Sequence, residues 1–261
     1  MRESIPCPQL SCNYAANDAH KEKHAMIPKV IHYCWFGGKE LPPLAQKCIA
    51  SWKKYCPDYE IIRWDESNFD INCCQYVKEA YENRKFAFVT DYVRLYAMYT
   101  HGGIYMDTDV EVMKNLDDFL IHQGFSGFES ETQIPTGIMA GEKGFPLFAH
   151  LLSYYDGKHF VKDDGTLDAT TNVTTITNML TEKGFRPNGQ FQVVEGFALY
   201  PQDYFCPYNN NTGILNKTQN TATIHWFNKS WLSPTQRIRS ALTKPFHRLF
   251  GNNCFAWLKR K

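Results

Sequence analysis

The stretch from Val89 to Asp109 changes hydrophobic period in mid-course, and that change limits the possible folds more than any other feature of the chain. Val89, Val93, Tyr96, Ala97 and Thr100 recur at i, i+3, i+4 spacing, which puts one apolar face on a helix and sets Asp91 and Arg94 together on another side. His101-Gly102-Gly103 stops that helix. Ile104-Tyr105-Met106 then reads as a short strand ending in Asp107-Thr108-Asp109, and Val110 to Met113 resumes an extended character. Upstream, Val30 to Phe36 is a β-branched and aromatic strand halted by Gly37-Gly38. A helix follows Pro42-Pro43 with Leu44, Ala45, Cys48, Ile49 and Trp52 at helical spacing, and Glu60 to Trp64 is a second strand, the span of a parallel crossover unit.

The alternation continues. Residues 74 to 84, Phe145 to Tyr155 and Asn172 to Leu180 read as helices; Phe125 to Phe128, Phe191 to Leu199 and Ala222 to Trp226 read as strands. The expected class is α/β, an open and mostly parallel sheet flanked by helices. There is no internal repeat and no Pro-rich or Gly/Ser linker to divide it. Residues 1–25 carry little apolar periodicity and form an N-terminal extension, residues 26–232 a single domain, and residues 233–261 a basic amphipathic tail.

The net charge of +1 removes any general argument for nucleic acid as a partner. The balance conceals an asymmetry, because after Asp203 there is no acidic residue and nine basic ones follow, leaving the first 203 residues at 19 minus 27, or −8. From Arg237 onward, Ile238, Leu242, Phe246, Leu249, Phe250, Phe255, Trp257 and Leu258 interleave with the basic residues, interrupted by Pro245 and Gly251. That composition suits an anionic membrane surface. Nine cysteines, an odd number without a CxxC pair, read as reduced thiols, and the sequons at Asn172, Asn210, Asn216 and Asn228 would invite glycosylation in a secretory lumen. With no apolar run of about 18 residues and no signal-peptide centre, the expected location is cytoplasmic, peripheral on the inner face of the cytoplasmic membrane.

Asp107 and Asp109 at a strand end offer hard oxygen ligands to Mn²⁺ or Mg²⁺. Alone, such a pair is as well suited to a solvated turn. Its company is more specific: a helix bearing Asp91 and Arg94, a double glycine, and a strand delivering Asp-x-Asp. Together with Ile27 to Gly38 and His225-Trp226-Phe227-Asn228-Lys229-Ser230-Trp231, this ensemble resembles glycosyltransferase family 32, the group described by a sugar-binding region containing a DXD motif. That group includes yeast Golgi mannosyltransferases and many bacterial capsule and lipopolysaccharide enzymes, and the large clostridial glucosylating toxins share a similar pattern.

The resemblance implies a GT-A type nucleotide-diphospho-sugar transferase fold and a set of roles. Asp109 binds the metal, and Asp107 contacts the metal or the sugar-ribose portion. Asp91 hydrogen-bonds donor-sugar hydroxyls, and Arg94 lies near sugar and phosphate. Trp35 stacks on the base, for which an indole face is suited, with core packing as the rival reading. Tyr105 lines the nucleotide pocket or packs in the core, and Asn68 is a weaker nucleotide contact. His225 is a third protein ligand, and Ser230 and Trp231 lie on the diphosphate side or in a lid. The implied activity is retaining transfer of a hexose from UDP- or GDP-sugar to a saccharide acceptor, with a lipid-linked saccharide as one acceptor class, in capsule, O-antigen or lipopolysaccharide synthesis. Glu129 and Glu131 are unplaced candidate nucleophiles. A toxin-type protein glycosyltransferase and a non-catalytic sugar-nucleotide binding module are the alternatives.

Overall fold

The computed structural model describes residues 27–228 and 234–250. Strand β1 (Val30–Cys34) leads through α1 (Pro43–Tyr55) to β2 (Glu60–Trp64), which pairs parallel to β1 from Val30↔Glu60 to Cys34↔Trp64. Pro43 opens α1, where its missing N–H removes nothing from the helix. Helices α2 (Gln75–Glu82) and α3 (Phe86–His101) follow, then β3 (Gly103–Met106), parallel to β1 on its other side. Next come β4 (Val110–Val112), β5 (Gly124–Gly127), β6 (Ile138–Gly141), α4 (Pro146–Ser153) and α5 (Asn172–Glu182). Strands β7 (Gln192–Val194) and β8 (Phe197–Tyr200), the short α6 (Gln202–Phe205), β9 (Thr223–His225) and α7 (Pro234–Phe250) complete the described chain.

Seven strands form one sheet in the order β2-β1-β3-β6-β5-β8-β7, while β4 and β9 form a separate antiparallel ribbon. The class is α/β, a central sheet flanked by helices. The expectation of a mostly parallel sheet is corrected: β3–β6, β5–β6 and β7–β8 are antiparallel, against three parallel pairings. The stretch expected as one strand from Phe191 to Leu199 is a hairpin. Its two turn residues, Glu195 and Gly196, both have positive φ (47° and 83°), the backbone twist a two-residue hairpin requires.

Two apolar layers enclose the sheet. Ile104 and Met106 pack in one with Ile31, Trp52, Phe125 and Ile138, and Tyr105 packs in the other with Val93, Tyr96 and Met98, as the alternation along a strand demands. Helix α3 is buried over every residue from Tyr92 to Met98. The double glycine after it is required sterically: both residues have positive φ, a Cβ on Gly102 would lie 2.5 Å from Lys143 N, and one on Gly103 would lie 2.6 Å from the Val30 carbonyl oxygen. Helix α1 in turn holds β4, through Trp52 Nε1–H to the Val110 carbonyl (2.7 Å) and the Val112 N–H to Ser51 Oγ (2.9 Å).

Candidate metal and sugar-nucleotide site

Strand β3 delivers Asp107 and Asp109 at its C-terminal end, where the Val110 N–H closes a turn onto the Asp107 carbonyl (3.0 Å). The ribbon brings the third member. In the β4–β9 register Val110 lies opposite His225, so a residue more than a hundred positions downstream arrives beside the pair. His225 Nε2 is 3.3 Å from Asp109 Oδ1 and 3.9 Å from Asp107 Oδ2. One ligand atom from each of the three residues lies within 4.8 Å of the others.

The donor set is two carboxylates and an imidazole, a combination suited to Mn²⁺ and tolerated by Mg²⁺. The electrostatics point the same way. Burial opposes a charge on His225, yet Asp109 and then Cys206 hold its pKa well above the ordinary value. Burial likewise acts against the Asp109 carboxylate, but His225 and the Asn228 N–H, 2.6 Å from Asp109 Oδ2, keep it below its usual range. A positive charge is therefore favoured where these groups converge, as a cation would supply. The residues fit a divalent metal.

Asp91 and Arg94 are joined to the cluster. Arg94 Nη2 is 3.2 Å from Asp91 Oδ1 and 3.5 Å from Asp107 Oδ1, and the guanidinium lies 4.8 Å from the centre of the Tyr105 ring. Its other N–H groups donate to the Thr136 carbonyl (2.6 Å), the Thr90 carbonyl (3.1 Å) and Thr90 Oγ1 (3.3 Å). Arg94 is buried, so the pair is not a solvent-screened ion pair on a helix surface. Burial disfavours its charge, and Asp107 with Tyr105 and Asp91 restores it above the ordinary value. Burial also pushes the Asp91 carboxyl up to about 6, against the pull of Arg94.

Other sequence-expected residues take varied places. Tyr105 is buried and donates its hydroxyl to Asp107 Oδ1 (2.8 Å), so it supports the aspartate from the core side. Trp35 follows β1, the parallel neighbour of β3, is partly exposed, and donates its indole N–H to the Lys39 carbonyl (2.5 Å). Asn68 is exposed and closes the turn after β2, donating to the Arg63 carbonyl (2.7 Å) and accepting from the Asp65 N–H (3.0 Å). Glu129 is partly buried, which raises its pKa, and its charge is felt by both His225 and Asp107. Ser230 and Trp231 lie outside the described residues.

Three contributors were not legible beforehand. Thr136 supplies the carbonyl that fixes Arg94, and the Gly137 carbonyl accepts the Asp107 N–H (2.8 Å). A Cβ on Gly137 would lie 2.6 Å from His225 Cε1 and Nδ1, so only glycine leaves room for the imidazole. Phe227, with φ at +50°, stacks its ring on that of His225 at 3.9 Å. A bulky residue in the left-handed region is uncommon and marks a position that its surroundings over-determine. The Thr-Gly pair before β6 was the available sequence signal; without β6 assigned, it had no place.

The glycosyltransferase sugar-binding region containing DXD motif matches residues 42–126, the segment that carries Asp91, Arg94, Asp107 and Asp109. Inositol phosphoceramide mannosyltransferase 3 of Schizosaccharomyces pombe is 29% identical over 148 residues, covering 52% of this chain and 39% of that protein. The chain spans a similar 38% of mannosyl phosphorylinositol ceramide synthase SUR1 of Saccharomyces cerevisiae. A glycosyltransferase of Acanthamoeba polyphaga mimivirus, L373, is 26% identical over 206 residues, covering 70% of this chain and 78% of that one. Among solved structures, the PaToxG glycosyltransferase aligns with a TM-score of 0.46 at 20% identity over 60% of this chain and 70% of its own. The galactosyltransferase LgtC aligns at 0.44 and 13% identity over 82% and 95%. Residues 42–126 are thus similar to the DXD-type sugar-binding region of glycosyltransferases, and the chain is distantly similar in sequence to the two yeast proteins and the mimivirus protein. Two of the three clustered residues, Asp107 and Asp109, lie in the matched segment, and His225 joins them from outside it to give the donor set of a divalent-metal site.

Proposed function

We propose that the protein is a metal-dependent, retaining glycosyltransferase of the family 32 type, moving a hexose from a UDP- or GDP-sugar to a saccharide acceptor of a bacterial surface polysaccharide. The observation that carries this reading is the convergence of Asp107, Asp109 and His225 next to the buried Asp91–Arg94 pair. A divalent cation bound there neutralises the charge that develops on the departing nucleoside diphosphate.

The chain's own groups do the positioning. Asp109 is fixed by the Asn228 N–H, and Asp107 by the Tyr105 hydroxyl and Arg94, so neither carboxylate must reorganise when charge appears. Arg94, its donors occupied by Thr90, Thr136 and the two aspartates, holds a fixed positive charge beside the site. Asp91, held by that guanidinium, accepts hydrogen bonds from donor-sugar hydroxyls. Trp35 stacks on the base from the end of β1. Transfer proceeds on one face of the sugar, with the leaving diphosphate taking the acceptor proton, and Glu129 is the carboxyl to examine first as a nucleophile instead.

The test is hydrolysis of a panel of UDP- and GDP-hexoses with and without Mn²⁺, beginning with mannose because the two yeast relatives are named for it or for its ceramide product. Metal-dependent turnover lost in Asp109→Ala supports the reading; undiminished metal-dependent turnover in that variant refutes it. Donor binding that never leads to hydrolysis or transfer would leave a binding module in its place.

A further inference from the structure

The described cysteines divide into two kinds. Of the six, Cys34, Cys48, Cys56 and Cys206 are buried, and burial pushes each of these thiols above its ordinary value. Thiols so placed are inert. Cys73 and Cys74 are neighbours in sequence, partly exposed, and not joined in a disulfide. The sugar transfer proposed above uses neither.

Local structure sets the pair at the entrance to α2. Asp70 folds the chain ahead of it, its carbonyl accepting the Cys73 N–H (3.1 Å) and its Oδ1 the Asn72 N–H (2.9 Å). Cys74 is then the N-cap residue, with φ at −153° and ψ at 161°. That conformation turns its sulfur toward the first-turn N–H groups, where Ser, Thr or Asp usually places an oxygen, and the first turn of α2 holds no acidic residue to compete. The Cys73 S–H donates to the Cys74 sulfur and holds that thiol below its ordinary value; the Val77 and Tyr76 N–H groups add to the effect, against burial and Asp156. Two sulfurs in contact, one favoured as the thiolate and the other protonated, are a nucleophile and a thiol placed to resolve it.

We propose that Cys74 and Cys73 form a peroxide-reactive dithiol, with Cys74 the attacking sulfur and Cys73 the one that resolves it. The Cys74 thiolate attacks one oxygen of a hydroperoxide; the O–O bond breaks, the other oxygen leaves with a proton as water or alcohol, and Cys74 becomes a sulfenic acid. The Cys73 sulfur then attacks the Cys74 sulfur, the S–O bond breaks, and water departs with the Cys73 proton. The two thiols give up two electrons and the peroxide takes them. Adjacent Cα atoms across a trans peptide are about 3.8 Å apart, short of the roughly 4.4–6.8 Å usual for a disulfide, so the bridge is strained. A strained bridge is readily reduced, and a thiol such as glutathione reopens it.

The experiment uses the full chain, reduced and freed of reductant, with iodoacetamide and hydrogen peroxide as probes and peptide mass spectrometry as the readout. Cys74 should alkylate at least about tenfold faster than Cys34, Cys48, Cys56 or Cys206. Peroxide should convert the peptide holding Cys73 and Cys74 to its internal disulfide, and dithiothreitol should restore it. In Cys73→Ser, Cys74 should stop at a sulfenic acid that dimedone traps; in Cys74→Ser, oxidation of Cys73 should slow at least about tenfold. Thermal melting checks both variants, and the wild-type alkylation and bridging decide by themselves if a variant does not fold. Alkylation of the four buried cysteines as fast as Cys74, oxidation of Cys74 to the sulfinic acid without a bridge, or unchanged Cys73 oxidation in Cys74→Ser overturns the proposal. None of these readouts involves a donor sugar, so failure of the transfer reading would leave this one standing.

Discussion

Two buried histidines sit in opposite chemical situations. His32, in the middle of β1, is wholly buried with both ring nitrogens matched by neutral groups: Nε2–H donates to the Gly102 carbonyl (2.9 Å), and Nδ1 accepts from Trp64 Nε1–H (3.1 Å). Burial, partly offset by that carbonyl, lowers its pKa to about 4, so it stays neutral. His225 is nearly as buried, yet it faces two carboxylates through Nε2, while its Nδ1, near the Cys206 thiol, has no hydrogen-bond partner among the described residues. Burial alone therefore says nothing about role. A histidine satisfied by uncharged partners ties elements together; one that a separate ribbon brings up to two acids at a strand end is placed to share a cation.

The contrast can be broken at several points. The largest effect is expected from Asp109→Asn, which removes the anionic grip on the cation and should lower metal-dependent turnover about 10³-fold; donor hydrolysis at saturating Mn²⁺ measures it. His32 should reveal itself through pH. The unfolded imidazole takes up a proton near 6.5 and the folded one only near 4, so the unfolded state binds the additional proton between those values. Stability present above about pH 6.5 is lost as the pH falls toward 4, by about 3 kcal/mol from this group. Urea unfolding across that window gives the loss, and the imidazole resonances assign it; a His32 signal titrating near 6.5 in the folded chain would break the comparison.

A smaller effect is expected at Gly137. The Cβ of Gly137→Ala lands on the His225 ring, and Mn²⁺ affinity should fall about tenfold, with little further loss when His225→Ala is added, the non-additivity of residues in contact. Calorimetric titration of the single and double variants decides, and fully additive losses would separate the glycine from the histidine. Smallest is Trp35→Ala: loss of a stacking face should raise the donor KM about fivefold to tenfold at nearly constant kcat, while Trp35→Phe keeps most of the affinity.

Sequence patterning located what is local. The residues of β2 were read as they stand, and α1, α3, α5 and β3 were placed within a few positions, because each carries its own period and stop signals. Ile138–Gly141 escaped because four small or apolar residues have no alternation to read, and its antiparallel pairing between β3 and β5 is a tertiary fact. The hairpin of β7 and β8 was hidden for a related reason: Glu-Gly is a weaker turn signal than Asn-Gly. At the site, Asp91, Arg94, Asp107 and Asp109 lie in one short window and were legible as a unit. The pairing of β4 with β9, which gives His225 its address, joins residues far apart in sequence, and no window of the chain displays it.

That ribbon also has a consequence in time. Contacts of such separation close late, because the intervening chain must first be ordered. The aspartates and their supporting arginine come together among neighbours, whereas the grip on Asp109 waits for residues 223 to 228. A chain still emerging from the ribosome should assemble the Asp91 to Asp109 neighbourhood early and complete the acidic cluster only once residues 223 to 228 are out and the ribbon zips.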